Sequence, residues 1–133
     1  MTEELQQWIQ GWFKKGEHDL RAAEIILGSE DPPCDVVCFH AQQCVEKYLK
    51  GFLTYHQQTI RRTHDLVSLN AECSQIDPSF NEWEEIFERL TDYAVETRYP
   101  DDVVEYSVEE AKEAFEEAAR VKNFIINKVE LDQ

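Results

Sequence analysis

The sequence predicts an all-α protein, an antiparallel up-and-down bundle of about five helices in a single domain over residues 1–133. Apolar residues recur every three or four positions in five separate stretches, which is the period of a helix with one buried face. Glycine and proline number only four each, too few for a β protein with many tight turns. Hydrophobic residues make up 42% of the chain, which is enough to fill one core.

The first two predicted helices are the longest. Residues 3–27 carry an inward stripe and are followed by Gly28, a typical C-cap, and a loop with two prolines. Residues 35–55 form a second helix with a wide apolar face and a narrow polar face, the latter made of His40, Gln43, Lys47 and Lys50. A helix of this kind should lie centrally, with its polar side facing a cleft or a partner.

Two shorter helices should follow the polar loop. The third begins at Thr63 or His64 and ends before Pro78, since a residue that precedes proline disfavours the helical conformation. The fourth covers about 80–97, with Trp83 facing inward. Trp8 and Trp12 also lie on an inward stripe, so we expect all three tryptophans in the core rather than on a base-stacking surface.

The last helix is predicted after a non-helical segment, residues 98–106, in which Pro100 disfavours helix. Ser107 followed by Glu110 is a capping-box pattern, which places a helix start there. The apolar spacing continues that helix to about residue 129.

Composition and charge exclude several classes of protein. The net charge of −15 argues against general DNA binding, because duplex binders neutralise phosphates with Lys and Arg. No apolar run approaches 18 residues and the first residues are not a basic segment followed by an apolar one, so we expect a cytoplasmic protein with no membrane contact. The four cysteines form no CxxC pair, which favours reduced thiols and neither a metal nor a cofactor.

Four basic residues, Lys47, Lys50, Arg61 and Arg62, form a basic island with no acidic residue between Lys47 and His64. Across residues 82–119, by contrast, acidic residues outnumber basic ones by fourteen to three. The island could bind a phosphate or an acidic ligand, or it could balance the acidic helices of the protein itself. The glycine-rich phosphate loops are missing.

Three other polar residues are candidates for the same site. Asp19 lies on the apolar stripe of the first helix, and a buried carboxylate needs a partner, which could be Lys47, Arg98 or His64. That contact could lock two helices together or form part of a cleft. Arg98 could cap the preceding helix or bind phosphate in the cleft, and His64 could belong to a helix start. His40, on the polar face of the second helix, is expected to make a surface or interface contact.

Four segments in order along the chain resemble the HEPN-domain family. They are the first-helix Asp19-Leu20, the second-helix stretch FHAQQCVEKYLK at residues 39–50, the Thr63–Leu66 stretch THDL, and RYPD at residues 98–101. The resemblance covers nearly the whole chain. It implies a helical bundle that dimerises, pairing with a minimal nucleotidyltransferase in toxin–antitoxin or stress-response systems, and nucleotide binding.

Many members of this family are metal-independent ribonucleases that carry an Arg-x4-6-His motif near the position of Arg98. In this chain the corresponding positions after Arg98 hold Val103, Val104 and Glu105, and no histidine follows His64. Cleavage of RNA by general acid–base chemistry needs a group that titrates near neutral pH. The resemblance therefore implies the fold and the partner but not the usual nuclease chemistry.

The leading hypothesis is a non-enzymatic or degenerate HEPN protein that forms a homodimer, associates with a nucleotidyltransferase and could bind a nucleotide through Lys47, Lys50, Arg62, Arg98 and Asp19. A second hypothesis is a metal-independent ribonuclease toxin with an atypical site that uses Arg98 and His64. A third is a purely protein-interaction module whose acidic helices bind a basic protein.

Overall fold

The computed structural model describes residues 1–94, 100 and 105–131. These residues contain five α-helices and one 3-10 helix, and no strand. The helices are α1 (Glu3–Leu27), α2 (Cys34–Tyr55), α3 (Leu66–Ile76), the 3-10 helix (Pro78–Trp83), α4 (Glu84–Thr91) and α5 (Val108–Ile126). The predicted all-α fold is confirmed.

Local side-chain bonds explain where the helices begin. The side chain of Thr2 accepts from the backbone of Leu5 at the start of α1, and Ser107 forms the predicted capping box with Glu110 at the start of α5. The prediction that α3 begins at Thr63 or His64 was wrong. Asp65 is the N-cap, because its carboxylate accepts from the backbone N–H groups of the next turn.

The predicted fourth helix is shorter and less regular than its apolar spacing suggested. The chain first forms the 3-10 helix, with the Asp77 side chain capping its start, and α4 begins only at Glu84. The end of the predicted helix, residues 95–97, and most of the predicted loop at 98–106 lie outside the described residues.

The bundle is organised around α2, which packs against α1, α3, α4 and α5. Its central position agrees with the prediction from its wide apolar face. The most extensive contact is with α1, where the rings of Phe13 and Tyr48 stack with their centroids 5.0 Å apart. Gly16 and Gly51 make room for this stack, since a Cβ added at Gly16 would lie 2.7 Å from Tyr48 and one at Gly51 would lie 2.4 Å from Phe13.

The tryptophans do not all lie in the core. Trp83 is buried and Trp12 is half-buried, but 62% of Trp8 is exposed, so the prediction of a core Trp8 was wrong. The next residue, Ile9, is fully buried and occupies the core-facing position instead. No helix in the described part of the chain is long and apolar enough to cross a membrane.

Gly16→Ala should destabilise the protein by about 1–3 kcal/mol, because the new methyl group overlaps the buried ring of Tyr48. Gly11→Ala is the matched control on the same helix. A Cβ at Gly11 meets no atom within 4 Å, so at low protein concentration this change should be neutral or stabilise by about 0.5–1 kcal/mol. Urea unfolding of the two variants measures the difference, and equal stabilities would contradict the close α1–α2 packing.

Candidate functional site

Asp19 links α1 to the polar face of α2. Its Oδ1 lies 2.9 Å from Nδ1 of His40, and its Oδ2 lies 3.8 Å from Nζ of Lys47. The side chain is 19% exposed, so the carboxylate lies in a partly dry environment. Lys47 is one of the partners that the sequence indicated. His40, which we expected at a surface or an interface, is the closer one.

Glu46 is the most buried acid of this region, with 2% of the residue exposed. Its Oε2 accepts from Nζ of Lys50 at 3.1 Å, and its Oε1 lies 2.6 Å from Nδ1 of His64. Nζ of Lys47 lies 4.0 Å from Oε2. His64 therefore pairs with Glu46 and not with Asp19. Nδ1 of His64 and the buried Glu46 carboxyl group are therefore within hydrogen-bond distance of each other.

Two glutamines join these ion pairs. Oε1 of Gln43 accepts from Nζ of Lys47 at 2.9 Å, and its Nε2 donates to Oε1 of Gln42 at 2.8 Å. Nε2 of Gln42 in turn donates to the backbone carbonyl of His64 at 2.8 Å. Gln42 is fully buried, so its amide needs both bonds. The chain of contacts runs without interruption from α1 through α2 to the segment before α3.

The side chains joined by these contacts form what we call the polar network. It consists of eight residues: Asp19, His40, Gln42, Gln43, Glu46, Lys47, Lys50 and His64. Six of the eight come from the stretch at residues 39–50, and the other two lie in segments that resembled the same family. The structure thus brings together three segments that the sequence had identified separately.

Glu46, Gln42 and the Asp19–His40 pair were not predicted. The signal for Glu46 was an acid four residues before Lys50 in a helix that is otherwise mostly apolar. Such spacing usually indicates a surface ion pair, and periodicity alone does not reveal that both partners are buried.

Most of the basic island is neutralised within the protein. Lys47 and Lys50 pair with Asp19 and Glu46, as described above, and Nη2 of Arg61 lies 3.0 Å from Oε2 of Glu72 on α3. Arg62 is exposed and forms no ion pair with the described residues. The interpretation that these cations balance acids of the same chain therefore accounts for three of the four. Arg98 lies outside the described residues.

Other reactive groups near the network are unsuited to chemistry at neutral pH. Burial, reinforced by the charge of Asp19, raises the pKa of the Cys44 thiol, and burial also raises the pKa of the Tyr48 phenol. All four cysteines are free thiols. Within the described ranges no cluster of His, Cys, Asp and Glu side chains is arranged to hold a metal ion.

The arrangement can do two things chemically. Two carboxylates, Asp19 and Glu46, each hold a histidine ring in a fixed orientation, which is how proteins prepare an imidazole to transfer a proton. The same ion pairs also tie three segments of the chain together, because a buried charge that lost its partner would be strongly unfavourable.

Comparison with known proteins identifies relatives over almost the whole chain. The model of the HEPN domain matches residues 9–129. The protein named Putative toxin MJ1304, from Methanocaldococcus jannaschii, is 29% identical, with 92% of this chain and 91% of the relative covered.

Two crystal structures share the fold. TT1696 from Thermus thermophilus is 29% identical, with a TM-score of 0.79, 91% of this chain covered and 98% of the other. ST0689, described as an archaeal HEPN homologue, is 24% identical, with a TM-score of 0.73 and coverage of 92% and 98%.

Glu46→Gln should destabilise the protein by about 3–5 kcal/mol, because it leaves the ammonium group of Lys50 buried without its anion. Glu72→Gln is the matched control, since it breaks the more exposed pair with Arg61 and should cost less than about 1 kcal/mol. Chemical denaturation of both variants measures this difference. Equal losses would show that the buried pair does not stabilise the bundle.

Proposed function

The chain belongs to the HEPN domain family, and on that premise we propose that it is the HEPN subunit of a toxin–antitoxin or stress-response pair. In this proposal it forms a homodimer and associates with a minimal nucleotidyltransferase. It contributes a binding surface and does not use the ribonuclease motif common in the family.

The main observation in support of this proposal is the polar network. The ionisable side chains contributed by the family-like α2 stretch are engaged by internal partners, with Lys50 on Glu46 and Lys47 near Asp19. Side chains paired in this way mainly hold the helices together, so few charged groups of this stretch are free to act on a substrate. The missing Arg-x4-6-His pattern points in the same direction. The 29% identity to Putative toxin MJ1304 supports the toxin–antitoxin setting.

A nucleotide phosphate would bind at the exposed end of the basic island. Arg62 is the island's exposed cation without an ion pair in the described part of the chain, and an arginine fork suits phosphate oxygens. Lys47 is half-buried and Lys50 is buried, and both are paired with acids, so they support the site from inside and do not offer free charges to the phosphate. Asp19 orients Lys47, and Arg98 is proposed as a second phosphate contact.

Millimolar ATP should raise the melting temperature by a few degrees if this site binds the nucleotide. At ten times the Kd, the ligand stabilises the folded state by about 1.4 kcal/mol. Arg62→Ala should remove the shift, and Arg61→Ala, which changes a neighbouring arginine already paired with Glu72, should retain most of it. An unchanged melting temperature in the native protein would refute nucleotide binding.

Association with the partner can be measured separately. When this chain is co-expressed with a minimal nucleotidyltransferase encoded beside it, the two should purify as one complex of constant stoichiometry. The HEPN chain by itself should leave RNA intact in buffer containing EDTA. Separate elution of the two proteins at micromolar concentration would contradict the proposed pairing.

A metal-independent ribonuclease with an atypical site is the second candidate. The observation in its favour is the pair of His64 and Glu46, in which a buried carboxylate orients an imidazole whose side chain is 37% exposed. A histidine held in this way can act as a general base on a ribose hydroxyl. RNA cleavage in EDTA that is lost in His64→Ala and Arg98→Ala would establish this function in place of the first.

A further inference from the structure

The N-terminal half of α1 presents an exposed stripe that the polar network does not use. Glu4, Trp8, Gly11 and Lys15 are spaced by four, three and four residues, so they lie on one face of the helix. Trp8 is 62% exposed, the largest such fraction among the large apolar residues of the described chain. With Gln7 and Trp12, the last three residues of this stripe line a groove of about 360 Å³. We call this surface the α1 stripe.

Gly11 has no role in the packing of the described part of its own chain. A Cβ placed there meets no atom within 4 Å, whereas Gly16 and Gly51 are required by the ring stack between α1 and α2. A glycine within a helix is less favourable than alanine at the same position. The uncovered backbone at Gly11 therefore leaves room for another molecule to approach α1 closely at that point.

The charges on the α1 stripe are self-complementary. Glu4 lies at one end and Lys15 at the other, and both side chains are exposed. Neither forms an ion pair with another described residue. If two such helices pair antiparallel, the acidic end of one lies against the basic end of the other.

A single register satisfies both the charges and the shape. Residues 4 and 15 are equally far from the midpoint between positions 9 and 10, and so are residues 8 and 11. An antiparallel pairing about that midpoint therefore places Glu4 opposite Lys15 of the second copy. In the same register it places the indole of Trp8 over the bare backbone of Gly11. Both contacts occur twice, as a two-fold interface requires.

We propose that the α1 stripe is the surface through which two copies of this chain pair, with α1 antiparallel to α1 of the second copy. The proposal rests on the homodimer of the proposed function and names its interface. The ring of Trp12 lies 5.7 Å from Nζ of Lys50, so the edge of this interface adjoins the polar network.

Charge reversal tests the register. In sedimentation equilibrium over a concentration series, Glu4→Lys and Lys15→Glu should each weaken dimerisation about tenfold or more, because like charges then meet at both ends of the interface. The double variant Glu4→Lys with Lys15→Glu should recover association to within about threefold of the native protein, since the pairs form again with reversed sign. Failure of the double variant to recover would overturn the antiparallel register.

Gly11→Leu separates association from folding. The new side chain has open space in its own chain, so the melting temperature at low protein concentration should be unchanged or higher, while dimerisation weakens about tenfold or more. Gln10→Leu, at an exposed position on another side of α1, is the matched control and should leave the dimer intact.

The outcomes distinguish this proposal from the proposed function. A dimer that persists in Gly11→Leu and in both charge-reversal variants would place the interface elsewhere and leave the homodimer standing. A native protein that is monomeric at every concentration tested would overturn the homodimer and this interface together.

Discussion

Glu46 places a negative charge at an almost fully buried position of the central helix, and the arrangement of the rest of the bundle depends on how that charge is compensated. A buried carboxylate without partners would be strongly unfavourable. Lys50, one turn along α2, supplies one cation, and His64 supplies the second contact from outside the helix. Because His64 immediately precedes the Asp65 cap of α3, the same contact positions the start of that helix.

The pairing of charges extends to α1 through Lys47 and Asp19, at the most extensive helix–helix contact among the described residues. Gly16 and Gly51 allow the stacked rings of Phe13 and Tyr48 to lie between the two helix backbones. Ion pairs are directional and ring packing tolerates little displacement, so together they specify both the distance and the register of α1 on α2. The charged and apolar parts of this interface depend on each other, since the charges are buried by the packing that they help to align.

Several features could be predicted from sequence because their causes are local. The helix in α1, the Gly28 cap and the capping box of α5 depend on residues within a few positions of one another. The errors arose where two local signals competed. Trp8 and Ile9 are both apolar and adjacent, and only the partner helix selects which of them faces inward. The predicted start of α3 was too early because Thr63 and Asp65 are both good N-caps. In the structure the side chain of Asp65 caps the helix.

The sequence by itself determined the all-α class, the order and approximate limits of the helices, and the resemblance of four segments to the HEPN family. It also showed that the usual Arg-x4-6-His pattern is missing, since that depends only on residue identity and spacing. Tertiary structure decided which charges meet. Asp19 with His40, and Glu46 with His64, are pairs separated by 21 and 18 residues, and spacing along the chain carries no information about such contacts. These pairs form only when α1, α2 and the segment before α3 lie close together. The small size of Gly16 and Gly51 allows that approach, and the free-energy cost of an unpaired buried charge favours it.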